Sequence, residues 1–161
     1  MKPVFFALPL AILMSSPAVA STDSIKIQTV KNMYNAAIKK NQRGEDIDTL
    51  ETLFKYADKS LQNAIGLSNI SKMTDDGDLS ECHDAYESLS LNPSNGLGLD
   101  EAKSVSYKVL NNGRVRASIK FPTVTIYQDL ALQCTSGSCK VSDLFDIYNN
   151  SAKSMAEKLC R

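Results

Sequence analysis

The chain has 161 residues, with 18 basic and 18 acidic side chains, one histidine, four cysteines and no tryptophan. That length suits one domain, and the charge balance excludes the strong basic excess that draws a protein to nucleic acid. An apolar fraction of 43% is ordinary for a globular chain and excludes a polar, disordered one.

Met1 and Lys2 make a short positive start, and the run from Val4 to Met14 is almost wholly apolar. Ser15, Ser16 and Pro17 break it, and Ala18-Val19-Ala20 supplies the small residues that a signal peptidase reads. This order predicts a secretory signal peptide over residues 1–20, cleaved after Ala20, and a domain from Ser21 to Arg161 working in the periplasm. The run is shorter than the about 20 residues a membrane span needs, and Pro9 interrupts it. No later stretch is long enough either, so no membrane span is expected.

Past the cut, Ile27, Val30, Tyr34, Ala37 and Ile38 recur at helical spacing and predict an amphipathic first helix, closed by the polar stretch Asn41 to Gly44. Asp48, with Glu51 three residues on, has the capping-box pattern of a second helix that buries Leu50, Leu53, Phe54 and Ala57. Asp58 is a fresh N-cap for a third helix carrying Leu61, Ala64 and Ile65. From Thr74 to Gly98 turn residues dominate, and a short extended piece is expected between them, around Cys82 to Leu89.

The second half alternates with period two. Val105, Tyr107 and Val109 form one apolar face, Asn111-Asn112-Gly113 is a hairpin turn, and Val115, Ala117, Ile119 and Phe121 continue that face. Val124, Ile126, Leu130 and Leu132 extend it, with an interruption at Gln128. Lys140 to Ile147 predicts a last strand, and Ser151 caps a closing helix with Met155 and Leu159 on its buried side. Three helices, four or five antiparallel strands in a meander and a short helix define an α+β domain whose helices cover the one apolar face of the sheet.

An even cysteine count in an exported chain predicts two disulfides. Cys134 and Cys139 flank a four-residue polar loop containing Gly137 and would face each other across a hairpin, which leaves Cys82 for Cys160. A four-cysteine zinc site would need C-x-x-C spacing that is not there.

The stretches TVKNMYNAAIKK, LETLFKYADKSLQNAI, SVSYKVLNNGRVRASIKF, TIYQDLALQC and CKVSDLFDIY, in that order, resemble the NTF2-like (cystatin-like roll) superfamily across residues 25–150. The small exported bacterial members are the most similar. The resemblance implies a sheet curled into a cone, closed on one side by helices, leaving a pocket or a partner surface. It selects no function, because that fold serves isomerases, dehydratases, ligand binders and toxin-neutralising proteins alike.

Candidate chemistry is sparse. His83 is the lone histidine, and Asp84 beside it would point to the opposite face of an extended segment, so no dyad is expected. No nucleophile elbow, zinc-binding helix motif or phosphate loop occurs, and no metal or cofactor is expected. Asp75, Asp76 and Asp78 cluster around Gly77 without the spacing of a calcium loop. Lys108, Arg114, Arg116 and Lys120 share one parity and predict a basic stripe on the outer sheet face, to which Asp129 and Asp143 would be partial counter-charges. That stripe and the acidic turn are the candidate partner-binding residues. Tyr107, Phe121, Tyr127 and Tyr148 are the candidate lining of the cone. The expectation is a non-enzymatic protein-binding module, in its specific form an inhibitor or immunity protein neutralising a toxin or envelope enzyme. The alternatives are a small-ligand binder using the cone and, last, an isomerase- or hydratase-type enzyme with a buried acid or base.

Overall fold

A computed structural model describes residues 21–46, 49–73, 80–92 and 97–160. The predicted signal peptide and the acidic turn at 75–78 lie outside them. The elements are α1 (Thr22–Gln42), α2 (Leu50–Tyr56), α3 (Lys59–Met73), α4 (Ser80–Ser88), a 3-10 turn (Leu99–Glu101), β1 (Ser104–Val109), β2 (Val115–Lys120), β3 (Thr125–Thr135), β4 (Ser138–Phe145) and α5 (Ala152–Leu159). The α+β expectation holds: helices lie mainly before a curved four-stranded antiparallel meander, and a short helix closes the chain.

The boundaries follow local chemistry. The Ser21 side chain accepts from Ser24 N, and Gly44 adopts φ 68° just past the end of α1. The backbone of α2 starts from Thr49 at φ 64°, and the buried Asp46 carboxylate accepts from Thr52 N at 2.9 Å and Thr52 Oγ1 at 2.5 Å. Glu51 pairs with Lys40 and Lys55, each at 2.7 Å, and these two ammonium groups hold its carboxyl pKa at about 2. Asp48 lies outside the described residues. Asp58 caps α3 as expected, accepting from Leu61 N at 2.8 Å, and Ser151 caps α5 through Ser154 N at 2.9 Å.

One expectation fails outright. Residues around Cys82 to Leu89 form helix α4, not an extended piece. Cys82, Ala85, Tyr86 and Leu89 are buried at spacings of three, one and three, which is a single helical face. The turn residues on either side mark its ends and say nothing of its interior.

The sheet runs β1-β2-β3-β4, and Val115, Ala117, Ile119 and Phe121 fill its inner side beneath α1. Gly113 takes φ 79° in the first hairpin, which favours glycine, and its carbonyl accepts from Lys26 Nζ on α1. The second hairpin is tighter than the expected four-residue loop: Thr135 and Ser138 are the last ladder pair, so only Ser136 and Gly137 turn. A bulge at Ala131/Leu132 bends the β3–β4 ladder. The outer edge of β4 is covered where Asp58 N donates to Val141 O, a device that keeps a sheet edge from pairing elsewhere.

The core is filled under the sheet. Tyr34 is wholly buried, its ring centroid lies 6.0 Å from that of Tyr107, and its hydroxyl donates to Gln128 Oε1 at 2.7 Å. Gln128 thus sits inside the sheet as part of the alternation, not as a break in it. Burial pushes the Tyr34 hydroxyl well above the ordinary phenol value, with Tyr107 adding to it, and burial pushes Tyr107 to about 12. Both shifts favour the neutral phenol in the folded state. Their contribution to stability is complete below about pH 10, the unfolded phenol value, and is lost as pH rises through 10 toward 12. In a spectrophotometric titration at 295 nm, Tyr34 and Tyr107 are expected to ionise only as near-UV circular dichroism collapses. All six tyrosines titrating with the dichroism intact would contradict this burial.

Candidate functional site

The expected aromatic lining does not converge. Phe121 is core, Tyr107 is half-buried on the inner face, Tyr127 lies on the outer face opposite Ser118, and Tyr148 stands in the loop after β4 with 80% of its surface exposed. Inner and outer parity separate them, because Ile126, not Tyr127, is aligned with Ile119.

The basic stripe is placed on the outer face, but two of its members are engaged. Lys108, Arg116, Asp129 and Phe145 form one row across the four strands. Arg116 Nε and Nη2 donate to the two Asp129 oxygens at 2.6 and 2.9 Å, and its guanidinium is 5.6 Å from the Tyr127 ring centroid. That carboxylate raises the Arg116 pKa further. Arg114 stacks on the Phe145 ring at 3.3 Å and donates to Asn149 Oδ1 at 2.5 Å. Lys108 and Lys120 are exposed. Asp143, the second expected counter-charge, is turned to α5: it accepts from Ser151 Oγ at 2.6 Å and Lys153 N at 3.1 Å.

The best-defined concavity is a cleft of about 480 Å³ at the start of β3. It exists because β4 stops short. Phe145 pairs with Asp129, and the chain then turns away: Asp146 Oδ1 accepts from Tyr148 N at 2.9 Å and Asn150 N at 2.8 Å, Oδ2 accepts from Asn150 Nδ2 at 2.7 Å, and Asn149 adopts φ 68°. This Asp-plus-Asn turn is what the residue types favour. Thr125 to Gln128 therefore pair with β2 alone.

Residues of both parities, Thr125 and Tyr127 as well as Ile126 and Gln128, line the cleft, so it faces the strand edge-on. Ala152 and Met155 of α5 with Ser88 of α4 form the opposite wall, and Phe145, Asp146 and Ile147 close one end. Ile147 is 64% exposed and Tyr127 43%, and both line the cleft, so large apolar surface gathers there. Such a grouping, unlike a single exposed Leu, marks an interaction site. A larger, more open groove of about 650 Å³ between α1 and the β3–β4 hairpin is lined by Gln28, Asn32 and Lys140 together with the half-buried Ile25 and Tyr56.

One disulfide ties the frame around the cleft: Cys82–Cys160 joins α4 to the end of α5, while Cys134–Cys139 crosses the second hairpin at the far end of β3, both as the sequence predicts. Gln128 Nε2 donates to Ser90 O at 2.9 Å, fixing the segment after α4 to β3. His83 is exposed on α4, with Nε2 3.2 Å from Glu87 Oε1, and the helix replaces the opposite-face argument for Asp84 with an exposed polar surface. Among the described residues, no group of three metal-ligating side chains converges, and no helix is long and apolar enough to cross a membrane.

Asp146, Ile147 and Met155 escape sequence reasoning as a set. The only signal is that Asp146-Ile147-Tyr148-Asn149-Asn150 carries turn residues inside what reads as a strand. No protein-family model matches the chain, and no curated protein or solved structure matches it significantly.

Proposed function

We propose that the chain is exported and acts as a non-enzymatic binding protein that holds a protein partner at the β3-edge cleft. The observation that carries this reading is the exposure of Tyr127 and Ile147 on the lining of a cleft whose walls are held by a disulfide and by the hydrogen bond from Gln128 to Ser90 O. Exposed aromatic and aliphatic anchors on a rigid frame are what dominate protein–protein binding energy. Two disulfides suit an oxidising compartment, and the leader pattern of residues 1–20 supports the periplasm. An inhibitor of a toxic envelope-directed enzyme is the specific form this takes in our reading, and the NTF2-like resemblance is retained as part of the same proposal.

The test uses the oxidised protein as bait in envelope extracts, with a Tyr127→Ser/Ile147→Ser variant alongside. Wild type is expected to retain one stoichiometric protein, and the variant to bind it at least roughly 30-fold more weakly. Equal retention by both baits would remove this surface from the function. A second reading has one observation in its favour: the cleft volume lies within the range of small-molecule sites. A thermal shift with lipids or cell-wall fragments, abolished by Met155→Arg, would move the assignment there.

A further inference from the structure

The ladder says which backbone groups meet the cleft. Leu110 N donates to Arg114 O and Phe121 N to Val124 O, so even-numbered residues of β2 face β1 and odd-numbered ones face β3. In β3 the even residues therefore bond to β2. The N–H and C=O groups of Thr125 and Tyr127 point the other way, toward the space that β4 has left. Asp129, next in that series, meets Phe145. Among the described residues no backbone bond outside the strands reaches Thr125 or Tyr127.

From this we infer that the cleft receives the amino-terminal extended segment of a partner protein, which adds as a strand beside Thr125–Gln128, antiparallel to β3, amine first. The inference rests on the protein-binding reading above. Four β3 residues offer about 13 Å of edge, enough for a short strand, and an exposed strand edge is completed by another extended backbone.

Two observations set the direction and the chemistry. At Asp129 the ladder position is already filled by β4, so a strand cannot run on past Gln128, whereas a chain terminus can stop there. The only charged residue lining the cleft is Asp146, at that same closed end, and among the described residues no basic side chain forms a salt bridge with it. Asp146 Oδ2 accepts one hydrogen bond from within its turn and so has acceptor capacity left for an ammonium group, whereas a C-terminal carboxylate is repelled by it. A segment entering amine first beside an antiparallel neighbour continues the β4 register: its first residue falls opposite Gln128 and its third opposite Ile126. The third side chain then faces Ile126 and Met155 and must be apolar.

The experiment titrates the oxidised, nitrogen-15-labelled protein with a pool of short peptides bearing a free amino terminus, Val or Ile at the third position and varied residues elsewhere. Peptides that bind are remade in two forms, acetylated at the terminus and N-methylated at alternate amides. The expected result is movement of the Thr125 and Tyr127 amide signals, slower exchange of those amides, and about tenfold weaker binding for each remade form. Tyr127→Pro, which deletes an edge N–H, is expected to lose the peptide. If Tyr127→Pro does not fold, the N-methylated peptides still decide the question. N-methylated and acetylated peptides binding as well as the parent would overturn strand addition while leaving a side-chain docking site, and the protein-binding reading, intact. No peptide moving these amides at roughly 1 mM would also overturn it. So would amides already protected in a protein-concentration-dependent way, which would assign the edge to a second copy of the chain.

Discussion

Replacing Cys82 and Cys160 with serine is expected to destabilise the fold by about 4–5 kcal/mol, while replacing Cys134 and Cys139 is expected to cost about 2 kcal/mol. The two bridges span 78 and 5 residues respectively. In the chain-entropy description a bridge acts by restricting the unfolded chain, and the restriction grows with the logarithm of the loop closed. The short loop is also held in the folded state by the flanking β3–β4 ladder and the two-residue turn. The long one joins two helices that pack against each other without such a ladder between them, with Cys160 buried at the end of α5. Urea unfolding of the two double variants gives the comparison directly. Equal losses, or a larger loss at the hairpin, would show that the bridges act mainly on the folded state. Loss of the long bridge also bears on binding, because α5 supplies Ala152 and Met155 to the cleft wall.

The second large effect lies in the chain of hydrogen bonds from Tyr34 through Gln128 to Ser90 O. Both Tyr34 and Gln128 are buried, so truncating one strands the other's polar atom away from water. Tyr34→Phe leaves Gln128 Oε1 without its donor and is expected to cost about 1–3 kcal/mol. Gln128→Leu leaves the Tyr34 hydroxyl without its acceptor and removes the donor to Ser90 O, and is expected to cost about 2–3 kcal/mol. The double variant Tyr34→Phe/Gln128→Leu removes both partners and leaves two apolar groups facing each other in the core. It should cost about 1–2 kcal/mol less than the sum of the singles. Strict additivity would mean that the two side chains are not coupled. Gln128 also lines the cleft, so the single Leu variant is the one expected to disturb binding as well as stability.

The fold class was legible because it depends on periodicity and turn chemistry, both local. Alternation from Val105 to Phe121 with Asn111-Asn112-Gly113 between is a hairpin in any context, and Asp58 and Ser151 cap their helices through bonds three residues long. The disulfide pairing followed from the hairpin. Helix α4 was legible in principle from Cys82, Ala85, Tyr86 and Leu89, but nine residues between two turn clusters give few repeats of the period. The candidate site was not legible, because it is a difference in length between two strands. Nothing in β3 alone reveals that Thr125 to Gln128 lack a second partner strand on the side away from β2. That follows from the turn at Asp146, and from α4 and α5 arriving from distant parts of the chain to wall the gap. The shared parity of Lys108, Arg116 and Lys120 is legible from the alternation, but whether Arg116 is free depends on Asp129 lying opposite it in the register.

An unpaired strand edge is ordinarily a template: a second sheet can dock on it, a third on the second, and the assembly grows without closing. Here the recess limits what can reach the template. A folded sheet presented edge-on brings its covering layers with it, about 10 Å to a side, and α4 and α5 already stand in that space. A lone strand carries no such layers. Once it is seated, β4 and the turn at Asp146 block further travel along β3. The same walls that shape the cleft therefore act as a size filter against growth from this stretch of β3.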